Sequence, residues 1–281
     1  MRRWPSARAL SPITAVALLV VSGACAGSRE PHVVTIPQSG VRPVRHIDSI
    51  HDYRSAVAAI VHVLEQDLGF PPFPVAFRFY PTRDAFQAAL VEVGYDPSFA
   101  RTTAHTMTAV GGYRGVLLNE STVARMAWPH RTALLAHELT HSLQYEWGGG
   151  RRGTSDQWLR EGFADWVSVR VLERLDGASL SSVRRQRQDE LRRSGRANLP
   201  QLSEMVTFRQ WVELGATRGA AAYGLALVAV DVLIAEHGMD SVVDYFARFA
   251  RSQDRTANFR AAFGSDLDAF EATLRARLWD R

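Results

Sequence analysis

The sequence predicts an α+β fold, with a small β-containing N-terminal lobe followed by a mainly α-helical C-terminal lobe. Three observations carry this expectation. Short apolar runs bounded by Pro and Gly lie before residue 120. After Arg125 the apolar residues recur at three- and four-residue steps. Strands and helices do not alternate, as a doubly wound parallel sheet would require. A chain of 281 residues, 46% hydrophobic and 22% charged, has ample material for a buried core. That composition excludes a disordered, collagenous or wholly membrane-embedded protein.

Residues 1–26 have the layout of a signal peptide: Arg2 and Arg3, a short apolar run from Ile13 to Val21, then Ser22, Gly23, Ala24, Cys25 and Ala26. The run is far shorter than the roughly 20 residues a helix needs to span a bilayer. Ala24-Cys25-Ala26 fits a cleavage site that releases a soluble exported protein. Ser22-Gly23-Ala24-Cys25 also resembles a bacterial lipobox, which would make Cys25 a lipidated first residue. Cys25 is the chain's only cysteine, and its place at the end of the apolar run favours lipidation. The expected location is the bacterial cell envelope, lipid-anchored or periplasmic/secreted, with no intramolecular disulfide.

Charge adds a second exclusion. All 33 basic residues are Arg, against 29 acids, for a net +4. Without Arg2, Arg3 and Arg8 the net charge is only +1, so no nucleic-acid partner is expected.

Residues 27–45 contain Pro31, Pro37 and Pro43 with few large apolar side chains, and read as a flexible tether to a domain over 46–281. Within it, residues 46–147 form the N-terminal lobe and 148–281 the helical lobe. Ile50, Tyr53, Val57, Ile60, Val61 and Leu64 give a helix ending near Gly69. Val75–Tyr80 reads as a strand and Asp84–Val93 as a helix stopped by Gly94. Residues 106–118 read as a hairpin ending in the strand Gly115–Asn119, which could pair with an extended peptide. Helices are expected at about 130–147, 156–175, 182–194, 216–237, 239–251 and 265–279, with breaks at Gly148-Gly149-Gly150, Gly177, Pro200 and Gly238. The arginine-rich stretch 181–198 is expected to be a solvated face.

His137-Glu138-Leu-Thr-His141 carries the chemistry. On a helix, i and i+4 lie about 400° apart, so both imidazoles leave one face about 6 Å apart along the axis. That spacing suits two nitrogens on one zinc ion. Glu138 is directed beside the metal, where it can take a proton from the water the metal holds. Leu134, Leu135, Leu139 and Leu143 mark the helix as buried. Two histidines and a glutamate facing a core without a metal would cost several kcal/mol. Trp158-Leu-Arg-Glu161-Gly-Phe-Ala-Asp165-Trp166 lies on the next helix, which the glycine loop lets turn back across the first. Glu161 is the candidate third ligand. Asp165, four residues on and on the same face, is placed to accept an N–H from a ligand histidine. Trp128 and Trp147 bracket the zinc helix as core or cleft-wall residues, and the remaining histidines have no metal spacing.

With these residues in view, the chain resembles the gluzincin zinc metallopeptidases, the thermolysin-like group: His137-Glu138-x-x-His141, then Glu161 in Glu-Gly-x-Ala-Asp. Trp158-Leu-x-Glu161-Gly-x-Ala, with Tyr223 in a later helix, is similar to the bacterial exported peptidase MA-like proteins. The resemblance covers roughly residues 74–281, and its specific part is 137–166. It implies a zincin-like fold and one zinc per chain, held by His137, His141 and Glu161. It further implies peptide or protein substrates, Glu138 as general base and acid, and Tyr223 as hydroxyl donor to the oxyanion. Tyr223 also suits a purely structural role, since a buried tyrosine finds a hydrogen-bond partner. No acidic motif before the zinc helix suggests an aminopeptidase; Glu120 is the nearest candidate, and a helix cap is its expected role. A catalytically silent zincin-fold scaffold and a zinc hydrolase of non-peptide amide or cell-wall bonds stand beside the peptidase reading.

Overall fold

The computed structural model describes residues 30–36, 42–71 and 73–280; the expected signal segment and Cys25 lie outside the described residues. The first half contains β1 (His32–Ile36), α1 (Tyr53–Gln66), β2 (Val75–Tyr80), α2 (Arg83–Glu92), α3 (Pro97–Thr106), β3 (Ala109–Gly112), β4 (Gly115–Asn119) and the short α4 (Glu120–Val123). The second is helical: α5 (Trp128–Trp147), α6 (Gln157–Arg174), α7 (Leu180–Ser194), α8 (Phe208–His237), α9 (Met239–Arg248), α10 (Arg255–Phe263) and α11 (Leu267–Trp279). The expected α+β order is therefore present.

β1 corrects the reading of a flexible tether over residues 27–45 for its described part 32–36. Val34 and Ile36 are buried while their neighbours face outward, and Val34 lies opposite Phe77 in an antiparallel pair with β2. Two of the prolines that suggested a tether, Pro31 and Pro37, flank this five-residue strand in the sequence. The sheet order is β1-β2-β4-β3, with β2 and β4 parallel and the other pairs antiparallel. A parallel pair needs a crossover, and α2 and α3 supply it. They cover one face of the sheet, with Phe86, Leu90 and Ala100 clustered around Leu117 of β4. Phe77, Phe79, Val116 and Leu118 enter the main core on the other face.

A second correction follows from this order. β4, expected to be able to pair with an extended peptide, is flanked by β2 and β3 and has no free edge. The strands with one unpaired side are β1 and β3, and of these β3, folded outside β4 by the hairpin, packs on α5.

Caps explain several helix starts. Asp52 accepts the Ser55 amide at 2.9 Å to open α1. Thr207 and Gln210 form a capping box that starts α8 at Phe208, eight residues before the expected start at 216. Arg218 (φ −133°, ψ 25°) kinks α8, separating a more polar first part, which buries only Trp211 and Leu214, from the apolar remainder that the periodicity detects. By length and composition alone α8 could cross a membrane, yet its apolar part lies in the protein core against α6 and α7. One core cluster runs from Val34 to Leu278, so Gly148 divides the chain in sequence but not in packing.

Candidate metal centre

α5 and α6 pack against each other, and the face of their contact carries the motif residues. The His137 and His141 Nε2 atoms lie 3.1 Å apart. Glu161 brings Oε2 to 3.3 Å from His137 Nε2 and Oε1 to 3.5 Å from His141 Nε2. Tetrahedral coordination at about 2.0–2.1 Å from each donor spaces the donors about 3.3 Å apart, so these three fit a four-coordinate divalent cation with one position open. The donor set of two imidazoles and one carboxylate suits such an ion. Asp165 Oδ1 lies 2.8 Å from His137 Nδ1, and Gln144 Oε1 lies 3.0 Å from His141 Nδ1, so each histidine is oriented through its second nitrogen.

Burial governs the electrostatics. It pushes His141 down to about 3, keeping that ring neutral with a lone pair to give. Burial also opposes a charge on His137. Hydrogen bonds that the ring donates to Asp165 and Glu161 outweigh it and hold His137 well above its ordinary value. Without a metal, a protonated His137 ring thus stands between Asp165 at Nδ1 and Glu161 at Nε2, and a cation would take the place of the Nε2 proton. For Glu161, burial favours the neutral form, but His141 and His137 overcome it and hold the carboxyl at about 2. Burial raises Glu138 to about 7, with Glu161 adding to it and His137 opposing. Such a carboxyl can both take and return a proton near neutral pH.

Close backbone approaches fix this arrangement. A Cβ on Gly162 would sit 2.3 Å from the Ala226 carbonyl oxygen, so α6 meets α8 closely only because residue 162 has no side chain. On the other side, a Cβ on Gly111 would lie 2.4 Å from the Glu138 carbonyl oxygen, which lets β3 press onto α5 beside the site. The Gly111 amide hydrogen-bonds Glu138 and favours its charged form.

Tyr223 projects from α8 into the same cavity of about 990 Å³ that His137, Glu138, His141 and Glu161 line. Its hydroxyl accepts a hydrogen bond from Trp211 Nε1 at 3.2 Å, which leaves its own proton for a group in the cavity. Burial raises the Tyr223 hydroxyl well above its ordinary value, and Glu161 adds to the shift, so it is a donor at neutral pH.

The motif residues His137, Glu138, His141, Glu161, Asp165 and Tyr223 therefore share one cavity wall. Glu120 does not; it is the first residue of α4, whose cap position is Asn119, and among the described residues no side chain caps that helix, so the expected capping role is not seen. Trp128 and Trp147 belong to the core, against Tyr53 in the first case and against Phe70 and Phe163 in the second. Much of the arginine-rich face on α7 is internally paired, through Arg184–Asp231, Arg187–Glu190 and Arg192–Asp189.

Sequence reasoning missed Gln144, Gln157, Arg160 and Trp211. Gln157 Nε2 donates to Glu161 Oε1 at 2.6 Å, and its position four residues before Glu161 was a usable signal. Trp211 had no such signal, because its partner lies across the kink of α8. No protein-family model, curated protein or solved structure matches the chain.

Proposed function

We propose that the chain is an exported zinc metallopeptidase of the gluzincin kind, with a zincin-like catalytic domain. The observation that carries this reading is the convergence of His137, His141 and Glu161 to within 3.1–3.5 Å, beside Glu138 and inside a large cavity. A zinc ion held by these three residues would lower the pKa of a water and polarise a carbonyl oxygen.

The chain's own groups supply the rest. Glu138 takes a proton as water attacks the carbonyl carbon, and returns it to the departing amine. The Tyr223 hydroxyl donates to the oxygen that gains negative charge. Asp165 and Gln144 hold the imidazoles in orientation. β3, with one side unpaired beside the site, could align an extended peptide by main-chain hydrogen bonds. Export and attachment through Cys25 belong to the same proposal. Intact mass of the mature protein from a bacterial membrane fraction tests them: a lipid adduct supports the anchor, and an N-terminus at Gly27 refutes it.

The test of the reaction is Glu138→Gln. The variant is expected to bind zinc like the wild type and to lose chelator-sensitive hydrolysis of casein. Undiminished casein hydrolysis would remove Glu138 from the reaction, and hydrolysis of peptidoglycan instead of casein would move the substrate to cell-wall bonds.

A further inference from the structure

Arg160 precedes Glu161 on α6 and is only 3% exposed, yet it lines the cavity. A guanidinium has five N–H donors. Among the described residues, that of Arg160 makes one hydrogen bond, from Nη1 to Ser155 Oγ at 3.3 Å. The carboxylates one turn before it and next to it in the chain, Asp156 and Glu161, are already engaged. Asp156 meets Arg255 at 3.1 Å and accepts from Tyr245, while Glu161 commits its oxygens to Gln157 and the two histidines. A buried cation with so few partners is costly unless something else answers its charge.

The surroundings point to what that is. Arg160 lies over the Tyr145 ring, its Cζ 5.3 Å from the centroid. Arg152, also on the cavity wall, donates to Gln157 Oε1 and lies over Phe208. Arg160, Arg152 and Tyr145 line the cavity together with His141. Tyr145 follows His141 by one turn of α5, or about 6 Å along the axis. An extended peptide advances about 3.3 Å per residue, so a group held there lies about two residues from a bond at the metal centre.

We propose that Arg160, aided by Arg152, forms a carboxylate subsite. The preferred substrate then carries a carboxylate about two residues from the cleaved bond, either as a Glu or Asp side chain or as its own C-terminus. The planar fork of a guanidinium matches a carboxylate, whereas a neutral peptide would leave the buried charge unanswered. This inference rests on the peptidase reading but has its own test.

Three dansyl-labelled hexapeptides of one neutral sequence serve as probes: a free C-terminus, an amidated C-terminus, and an amidated C-terminus with one internal Glu. Their affinities for the chelator-treated full chain are read by fluorescence anisotropy, with no turnover needed. A carboxylate peptide is expected to bind about tenfold more tightly than the neutral amide, the worth of one charge-assisted hydrogen bond. Preference for the free acid alone identifies chain-end recognition, and preference for the Glu peptide alone identifies a side-chain pocket. In Arg160→Gln the preference is expected to fall below about twofold. If that variant does not fold, Arg160→Lys, which keeps the charge but not the fork, is expected to retain a reduced preference. Equal wild-type affinities, no binding of any peptide, or a preference undiminished in the Arg160 variants would overturn the subsite. Casein hydrolysis without the preference removes this proposal alone; the preference without hydrolysis removes the peptidase reading and leaves the carboxylate site.

Discussion

Asp165→Asn removes the negative charge beside His137 while keeping an oxygen for its Nδ1 proton. The Nδ1···Oδ1 distance is 2.8 Å, and the Asp165 side chain is 29% exposed, so solvent screens the contact only in part. A hydrogen bond to a charged group contributes about 1.5–3 kcal/mol and a neutral one about 0.5–1.5 kcal/mol. The substitution should therefore cost about 1–1.5 kcal/mol, or about tenfold in zinc affinity. That lies at the lower edge of the roughly 10–100-fold losses usual when the partner of a ligand histidine is removed. The assay is competition for zinc against a chromophoric chelator, with circular dichroism to check the fold and Glu120→Gln as a control acid away from the cavity. Zinc affinity within about twofold of wild type in Asp165→Asn would refute the idea that this contact tunes the ligand.

Other outcomes follow from the same geometry. Tyr223→Phe should lower kcat by about 10²–10³ while leaving zinc affinity unchanged, as loss of one oxyanion donor does; equal kcat would make Tyr223 structural. Gly162→Ala should push α6 from α8 at the Ala226 carbonyl, costing about 1–3 kcal/mol in denaturant unfolding, and an unchanged midpoint would contradict that close approach. Burial raises Asp156 to about 6 from 3.8, so the folded chain binds this proton more tightly than the unfolded one. Its contribution should therefore decline as pH rises from about 4 to about 6, by about 3 kcal/mol relative to Asp156→Asn. A stability gap between the two that stays constant over this window would show that Asp156 does not titrate so.

Local periodicity made the centre legible. His137 and His141 share a helix face by spacing alone, as do Glu161 and Asp165, and the glycine loop between the helices implied their return against each other. What remained hidden depends on contacts distant in sequence. β1 is only five residues long and becomes a strand because β2 accepts it. α3 buries only Ala100, Thr103 and Ala104, too few apolar positions to show a helical period, although Asp96-Pro97 marks its start. α10 likewise relies on Phe259 and Phe263. Arg160 carries no local signal of burial; its burial follows from the packing of Tyr145 and Ser155 around it. The kink at Arg218 hid the first part of α8, and with it Trp211.

A zinc titration of the chelator-treated protein tests the central claim most directly, with the initial rate of casein hydrolysis read at each addition. A single site built from His137, His141 and Glu161 requires activity to rise from zero and to saturate at one zinc per chain. Full activity before any metal is added, or none at any zinc concentration, would contradict it.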